Sequence, residues 1–412
     1  MTNKIIKFLT AGSVDDGKST LIGRLLYDTN SIYQDQIAEI KKLGDGKIDY
    51  SLFVEGLESE RRQKITIDVA YRYFSYHHTK FIIADAPGHE QYTKNMAVAA
   101  ANSDVVVILI DATAGLKTQT IRHSYIANIF GIKNFVVAIN KMDLVDYSQE
   151  KFNQIRQEYL SKIKSLNVDN IYFIPISAIN GDNIVHKSEK IEWYKGESLL
   201  NNLIAIDIKP EEEQGFRLVV QNVVKHENKR LYQGKVIGGK IVVGDEIYIY
   251  PSKKTAKVIE IIHSANLVNE ALAGDSITLI LDQEIDIDRG SVFGNTRNKP
   301  NFDSRLKADL VWFGEVEFSV DNQSELLVKI NHNLIPAKIS NINYLVNIDN
   351  FSHYQSNNIA QNQIANVDIE FSKSVAFDYF KKNKFSGSFL MIDKRSNETL
   401  GCGLVEEVGG RN

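Results

Sequence analysis

Short apolar runs alternate with segments of helical periodicity along the first half of the chain. Strands are predicted at residues 5–9, 71–74, 80–84, 104–110, 135–139 and 172–176, and helices at residues 18–27, 117–130 and 149–166. The run at 104–110 is the most apolar in the chain. Continuous apolar strands separated by helices predict a mostly parallel sheet with helices on both faces.

The pattern changes near residues 208–213, where a proline stands beside an acidic run. Beyond it, short β-type runs alternate with turn signals such as Gly238-Gly239 and Gly274-Asp275, which predicts small β-barrels. A second boundary is predicted near residues 298–301. We therefore expect an α/β domain at residues 1–208 and two all-β barrel domains at residues 209–300 and 301–412.

Composition narrows the expected partners. The chain has 412 residues, 43% hydrophobic and 24% charged, as in ordinary soluble globular proteins. A net charge of −4 gives no electrostatic footprint for nucleic acid or an anionic membrane, so neither is an expected partner. No apolar run approaches the roughly 20 residues that span a bilayer. The single cysteine, Cys402, fits a reducing compartment and predicts a cytoplasmic protein.

One glycine-rich segment fits the pattern G-x-x-x-x-G-K-[ST] and stands between a predicted strand and a predicted helix. Such a segment wraps its main-chain N–H groups around phosphates, and the amino end of the helix adds positive potential. Lys18 is expected to reach the β- and γ-phosphates, and the Ser19 hydroxyl to bind Mg²⁺. The predicted nucleotide contacts are Gly12, Ser13, Val14, Asp15, Asp16, Gly17, Lys18, Ser19 and Thr20.

A second segment, Asp85-Ala86-Pro87-Gly88-His89, follows the predicted strand at 80–84. An aspartate at the carboxyl end of a strand beside the glycine-rich segment is placed to hold Mg²⁺, usually through water. Gly88 allows a main-chain N–H to approach the γ-phosphate. His89 is expected to orient the attacking water, and the alternative is a loop histidine bonded to the backbone.

Two further segments predict a guanine pocket. In Asn140-Lys141-Met142-Asp143, the Asp143 carboxylate is suited to accept hydrogen bonds from guanine N1–H and the 2-amino group, a donor pair that adenine lacks. Asn140 is expected to tie this pocket to the glycine-rich segment, and the Lys141 stem to cover the base. Ser177-Ala178 is expected to offer a main-chain N–H to guanine O6.

Thr66 lies between the glycine-rich segment and Asp85. Its hydroxyl is expected to complete the Mg²⁺ shell when the γ-phosphate is present and to release it afterwards, as in the switch of GTPases. The alternative is an ordinary β-strand threonine. The residues thus predict a GTPase that uses GTP and Mg²⁺, with His89, Lys18 and Thr66 as catalytic groups and Ser19, Thr66 and Asp85 around the metal.

These segments resemble the translational class of GTPases, and within it the large GTPase subunit of the two-subunit bacterial sulfate adenylyltransferase. The similarity is carried by residues 12–28, 65–74 and 85–96, and it is dense from about residue 5 to 183. Elongation factors usually have histidines where Ser13 and Asp16 stand. The carboxyl end, residues 387–404, is also similar to that family, whereas Lys64 departs from its usual glycine.

The resemblance implies an elongation-factor-like layout of a G domain and two barrels. It also implies GTP hydrolysis coupled to the reaction of a small catalytic partner subunit, which makes adenosine 5′-phosphosulfate and pyrophosphate from ATP and sulfate. The expected assembly is a heterodimer or a higher form. Two alternatives stay open from sequence: a translation-type GTPase that delivers an aminoacylated RNA, and a GTP-dependent assembly scaffold.

Overall fold

The computed structural model describes residues 4–43, 48–54, 69–89, 92–208, 215–226, 229–322 and 325–407. Thr66 and Lys64 lie outside these ranges. The chain divides into two compact units. The first comprises residues 1–208 with 347–352, and the second comprises residues 209–346 with 353–412.

The first unit is built on a six-stranded sheet in the order β2-β3-β1-β4-β5-β6. Strands β3, β1, β4, β5 and β6 are parallel, and β2 joins the edge antiparallel to β3. The strands are β1 (Lys4–Ala11), β2 (Ala70–Tyr76), β3 (Thr79–Asp85), β4 (Val105–Asp111), β5 (Asn134–Asn140) and β6 (Asn170–Pro175). The central strand β4 is buried along its whole length. A continuous apolar run is typical of such a strand, because both of its faces are covered.

Six α-helices accompany the sheet within the described residues. They are α1 (Lys18–Asp28), α2 (Gln34–Leu43), α3 (Thr93–Ala101), α4 (Thr118–Ile129), α5 (Gln149–Lys162) and α6 (Leu199–Ala205). Helix α1 illustrates why these segments are helical and pack on the sheet. Its apolar residues Leu21, Ile22, Leu25 and Leu26 recur at helical spacing and join the core of the sheet. Packing of this stripe places the amino end of α1 directly after β1.

The second unit contains two closed antiparallel barrels of six strands, with short extra strands beside them. The first barrel closes in the order β10-β15-β7-β8-β14-β11 and back to β10, with β12 added to β11. Its strands, with the small β9–β13 pair, are β7 (Arg217–His226), β8 (Lys229–Gly238), β9 (Lys240–Val242), β10 (Glu246–Tyr250), β11 (Lys254–His263), β12 (Asn266–Val268), β13 (Glu270–Leu272), β14 (Ser276–Leu281) and β15 (Val292–Asn295).

The second barrel closes in the order β18-β23-β24-β16-β22-β19 and back to β18. Its strands, with the short pairs beside it, are β16 (Asn301–Trp312), β17 (Phe318–Ser319), β18 (Leu326–Ile330), β19 (Asn333–Val346), β20 (His353–Tyr354), β21 (Asn358–Ile359), β22 (Ile364–Phe377), β23 (Ser388–Asp393) and β24 (Thr399–Val405). Each barrel encloses its own apolar core. The predicted fold, an α/β P-loop domain followed by two β-barrels, is therefore confirmed.

A buried ion pair joins the two barrels inside the second unit. Arg217, at the start of β7, lies 3.0 Å from Asp378, just after β22, and both side chains are less than a tenth exposed. The Ser386 hydroxyl donates a further hydrogen bond of 2.6 Å to the Asp378 carboxylate. The charge of each partner is thus compensated where water does not reach it.

Candidate nucleotide-binding site

The loop between β1 and α1 presents a row of unpaired main-chain N–H groups. Within the part of the chain that the structure describes, the amides of Val14, Asp15, Gly17, Lys18 and Ser19 have no hydrogen-bond acceptor. Gly17 makes the turn into the helix at a φ of 95°, a region that favours glycine. A side chain there would also collide with the Asn140 amide. Successive free amides at a helix amino end form a site for an anion.

Two other amides of this loop are held by side chains. Gly12 N–H donates to His123 Nδ1 at 3.2 Å, and Ser13 N–H donates to Asp16 Oδ2 at 2.7 Å. The Ser13 hydroxyl also lies 3.3 Å from the Thr120 hydroxyl. These bonds fix the shape of the loop, so that its remaining amides need little rearrangement to bind a ligand.

Lys18 lies buried under the same loop. Its ammonium group donates hydrogen bonds to the carbonyls of Gly12, at 3.2 Å, and Ser13, at 2.8 Å. Burial lowers the pKa of Lys18, and the charges of Asp85 and Asp16 act in the opposite direction. A buried cation in the loop that carries these amides supplies the charge that a polyphosphate requires.

The segment Asp85–His89 lies against this loop. Asp85, the last residue of β3, is fully buried and accepts a hydrogen bond of 3.1 Å from the Thr10 hydroxyl. Ala86 and Pro87 are buried behind it. A Cβ on Gly88 would strike the Lys18 ammonium and would lie 3.0 Å from the Gly12 carbonyl oxygen. The absence of a side chain on Gly88 therefore lets this segment lie close to the P-loop, and His89 is the next residue along the chain.

The two segments that the sequence predicts to recognise the base meet through Asn140. Its side-chain amide donates to the Asp16 carbonyl at 2.9 Å, and its oxygen accepts the Ala178 N–H at 3.0 Å. One side chain thus links the P-loop to the loop after β6. The Ser177 N–H is also taken, by the Asp182 carbonyl at 3.2 Å. Among the described residues, the Ile179 N–H has no acceptor, and sequence reasoning missed this donor.

Asp143 lies in the 3₁₀ turn Met142–Val145, directly after β5. None of the described residues donates a hydrogen bond to its half-buried carboxylate. Lys141 adopts a left-handed backbone and forms an ion pair of 2.7 Å with Asp111 at the end of β4. The pair anchors the lysine beside the 3₁₀ turn, and the Asp143 carboxylate keeps its full accepting capacity.

Residues 3–233 match the family described as elongation factor Tu GTP binding domain, and residues 305–406 match the GTP-eEF1A C-terminal domain-like family. "Sulfate adenylyltransferase subunit 1" of Saccharophagus degradans is 45% identical over 98% of this chain and 87% of its own. The protein of the same name from Teredinibacter turnerae is 45% identical over 98% of this chain and 88% of its own.

The chain belongs to the sulfate adenylyltransferase subunit 1 family. The resemblance predicted from sequence is thereby confirmed, as is a GTP-binding domain of the elongation-factor type. The name subunit 1 also means that members of this family work with a partner subunit. A crystal structure of a bacterial selenocysteine-specific elongation factor is similar at 22% identity, covering 99% of this chain and 60% of its own, with a TM-score of 0.47; a likeness of this size carries no functional argument.

Sequence reasoning missed three side chains of this family member that contact the P-loop and hold its shape. Lys117 forms an ion pair of 3.0 Å with Asp16, while Thr120 and His123 reach Ser13 and Gly12. Burial, with the nearby Lys18 charge, lowers the pKa of His123 to about 3. Their position in the sequence could have indicated this role. All three lie near the start of α4, after β4, and Thr120 and His123 share one helix face.

Two features are absent from the described residues of this family member. No three or more His, Cys, Asp or Glu side chains gather as a metal-binding group there. Nor is any described helix long and apolar enough to cross a membrane.

Proposed function

We propose that this chain binds GTP with Mg²⁺ in the cradle of free amides between Val14 and Ser19. The main support for this proposal is that those amides and the buried Lys18 ammonium occur in the same loop. A polyphosphate satisfies both at once, because its oxygens accept hydrogen bonds and its charge pairs with the lysine. In this proposal the residues from Gly12 to Thr20 surround the phosphates.

The donor set also fits a magnesium ion. Ser19 supplies a half-exposed hydroxyl and Asp85 a buried carboxylate, and magnesium in phosphate sites is held by one or two such protein ligands together with phosphate oxygens. Thr66, the third proposed ligand, lies outside the described residues. When bound, the metal neutralises charge on the phosphates.

Guanine selection is assigned to the two loops joined by Asn140. Asp143 offers a free carboxylate to the N1–H and 2-amino donors of guanine. Guanine O6 is assigned to the main-chain N–H of Ile179, which has no acceptor among the described residues, because the Ala178 N–H is donated to Asn140. Adenine would leave the carboxylate without its donors, which is costly in a partly buried site.

Hydrolysis is assigned to the segment that Gly88 brings against the P-loop. His89 orients the attacking water, and Lys18 stabilises the charge that develops on the phosphate oxygens. Thr66 is the proposed switch residue that responds to the γ-phosphate. These roles are supported by sequence position: His89 follows Gly88, where an added Cβ would strike the Lys18 ammonium.

The proposed biological role is the GTPase subunit of a cytoplasmic sulfate adenylyltransferase. A smaller partner subunit forms adenosine 5′-phosphosulfate and pyrophosphate from ATP and sulfate. GTP biases a two-state assembly, so that nucleotide state and adenylyl transfer are thermodynamically linked. Family membership supports this role.

The testing experiment is sulfate-dependent pyrophosphate release by the copurified pair of subunits, with and without GTP. We expect release to rise with GTP and to fall when Asp143 is replaced by asparagine, unless xanthosine triphosphate is supplied. Release that ignores GTP, together with GTP-dependent binding of aminoacyl-tRNA, would instead support the RNA-delivery alternative. Equal affinity of the purified chain for ATP and GTP would overturn the nucleotide assignment itself.

A further inference from the structure

A second bridge joins the two base-recognition loops, farther from the P-loop than Asn140. Tyr147 follows the 3₁₀ turn that carries Asp143, and Asp182 closes the loop that carries Ala178. The Tyr147 hydroxyl donates a hydrogen bond of 2.7 Å to Asp182 Oδ2. It also accepts one of 3.2 Å from the Asn180 side chain, in the same loop.

Asp182 is built into its own loop on both sides. Its carbonyl accepts the Ser177 N–H at 3.2 Å, and its Oδ1 accepts the Ser188 hydroxyl at 2.6 Å. The Lys190 ammonium lies 3.4 Å from Oδ2. Burial pushes the pKa of Asp182 upward, but the hydrogen bonds from Ser188 and Tyr147 and the Lys190 charge hold it below its ordinary value. The acceptor is thus an ionised carboxylate at neutral pH.

Tyr147 is equally fixed on the other loop. Its backbone adopts a φ of 52°, its N–H donates to the Met142 carbonyl at 2.8 Å, and its own carbonyl accepts the Trp193 indole N–H at 2.9 Å. The ring therefore projects from a closed turn whose first residues include Asp143. A displacement of Asp182 relative to Tyr147 has to strain one of these bonds.

We propose that Tyr147 and Asp182 form a loop bridge that sets the spacing between the Asp143 carboxylate and the main-chain N–H of Ile179. Neither side chain is assigned a contact with the ligand, so both are positioning residues. The inference rests on the proposed guanine nucleotide site. The loop bridge is therefore expected to affect the affinity for ligands that carry a base. The affinity for a polyphosphate without a base should not change.

The test compares Tyr147→Phe with the wild-type chain for two ligands, GDP and inorganic tripolyphosphate, both with Mg²⁺. The Tyr147 hydroxyl donates to the Asp182 carboxylate and accepts from Asn180 and Lys190, so its removal is expected to raise the GDP dissociation rate about tenfold. The preference for GDP over ADP should fall by a similar factor. Affinity for tripolyphosphate, which has no base, should stay within about twofold.

Ser188→Ala is the matched control. It removes a hydrogen bond of similar length to the same carboxylate, but from a residue that does not belong to the Asp143 loop. We expect GDP dissociation to change less than about twofold. Asp182→Asn keeps an acceptor oxygen for Tyr147 and should stay near wild type, whereas Asp182→Ala should reproduce the effect of Tyr147→Phe.

Three outcomes would overturn the loop bridge: unchanged GDP dissociation in Tyr147→Phe, an equal effect in Ser188→Ala, or a parallel loss of tripolyphosphate affinity. Should Tyr147→Phe fail to fold, the contrast between Asp182→Asn and Asp182→Ala decides the question. Failure of the proposed function is distinguishable, because the wild-type chain would then show no preference for GDP over ADP.

Discussion

At the scale of single residues, the site depends on groups whose protonation state is fixed by burial. His123 accepts the Gly12 N–H through Nδ1, so the ring is neutral and its proton lies on Nε2. Its pKa of about 3 keeps it neutral throughout the physiological range. The P-loop geometry therefore does not change with cellular pH through this residue.

The same residue makes acid sensitivity predictable. Because the folded-state pKa lies below the unfolded value of about 6.5, the unfolded chain binds the extra proton first. The contribution of neutral, buried His123 to the free energy of unfolding is therefore complete above a pH of about 6.5. It falls by about 1.4 kcal/mol per pH unit as the pH drops toward the folded-state pKa. In His123→Asn, which keeps an acceptor but does not titrate, denaturant unfolding between pH 4 and pH 7 should show a correspondingly smaller loss, measured against wild type.

His89 gives the second prediction at this scale. Replacing it by alanine should lower the GTP hydrolysis rate by well over roughly tenfold, because the residue is assigned to the attacking water. GTP affinity should stay near wild type, since binding of the phosphates is assigned to main-chain amides and Lys18. Single-turnover phosphate release and equilibrium binding separate the two effects. Turnover at the wild-type rate would show that His89 has no such role.

At the scale of elements, the apolar pattern was sufficient for the framework of the sheet. The strand predicted at 104–110 corresponds to β4 at Val105–Asp111. An uninterrupted apolar run is most stable in a central strand, where both faces are shielded from water. The helix predicted at 149–166 instead ends at Lys162, and Leu166 closes a turn onto Ile163. Helices α2, α3 and α6 were not predicted. The domain boundaries at 208 and 300 stay predictions.

The candidate site was predictable where one local motif carries the chemistry, and less so where contacts cross between elements. The glycine-rich loop and the Asn140–Asp143 segment were identified because their chemistry depends on fixed local spacing. Lys117 and His123 were missed, because their roles arise only when α4 folds back against residues about 100 positions earlier. The hydrogen bond between Asn140 and Ala178 likewise has no local signature.

Helix α4 yields a prediction at the element scale. Its preceding residue, Lys117, pairs with the buried Asp16 carboxylate beside the proposed phosphate cradle and compensates its negative charge. Lys117→Met should weaken GDP binding by about threefold to tenfold, and the deficit should shrink at high salt as screening replaces the lost charge. Titration at low and high ionic strength measures this. A deficit that is independent of salt would argue against the electrostatic explanation.

At the scale of the whole molecule, the two barrels of the second unit depend on one buried charge pair. Removal of either Arg217 or Asp378 alone leaves a buried charge, at a cost of about 3–5 kcal/mol. For a unit of this size, that corresponds to a fall on the order of 10 °C in its melting temperature. The double variant Arg217→Met with Asp378→Leu should melt above both single variants, as followed by calorimetry. Additive losses would show that the pair is not coupled.

The hydrogen bond between Trp193 and the Tyr147 carbonyl gives the protein an intrinsic optical reporter. The chain has only two tryptophans, and the other, Trp312, is enclosed in the core of the second barrel. Indole emission responds to the partner of its N–H, so the signal from Trp193 should follow any movement of the guanine pocket. Stopped-flow fluorescence of the unlabelled protein, with Trp312→Phe to remove the constant background, would then record nucleotide exchange without a modified ligand.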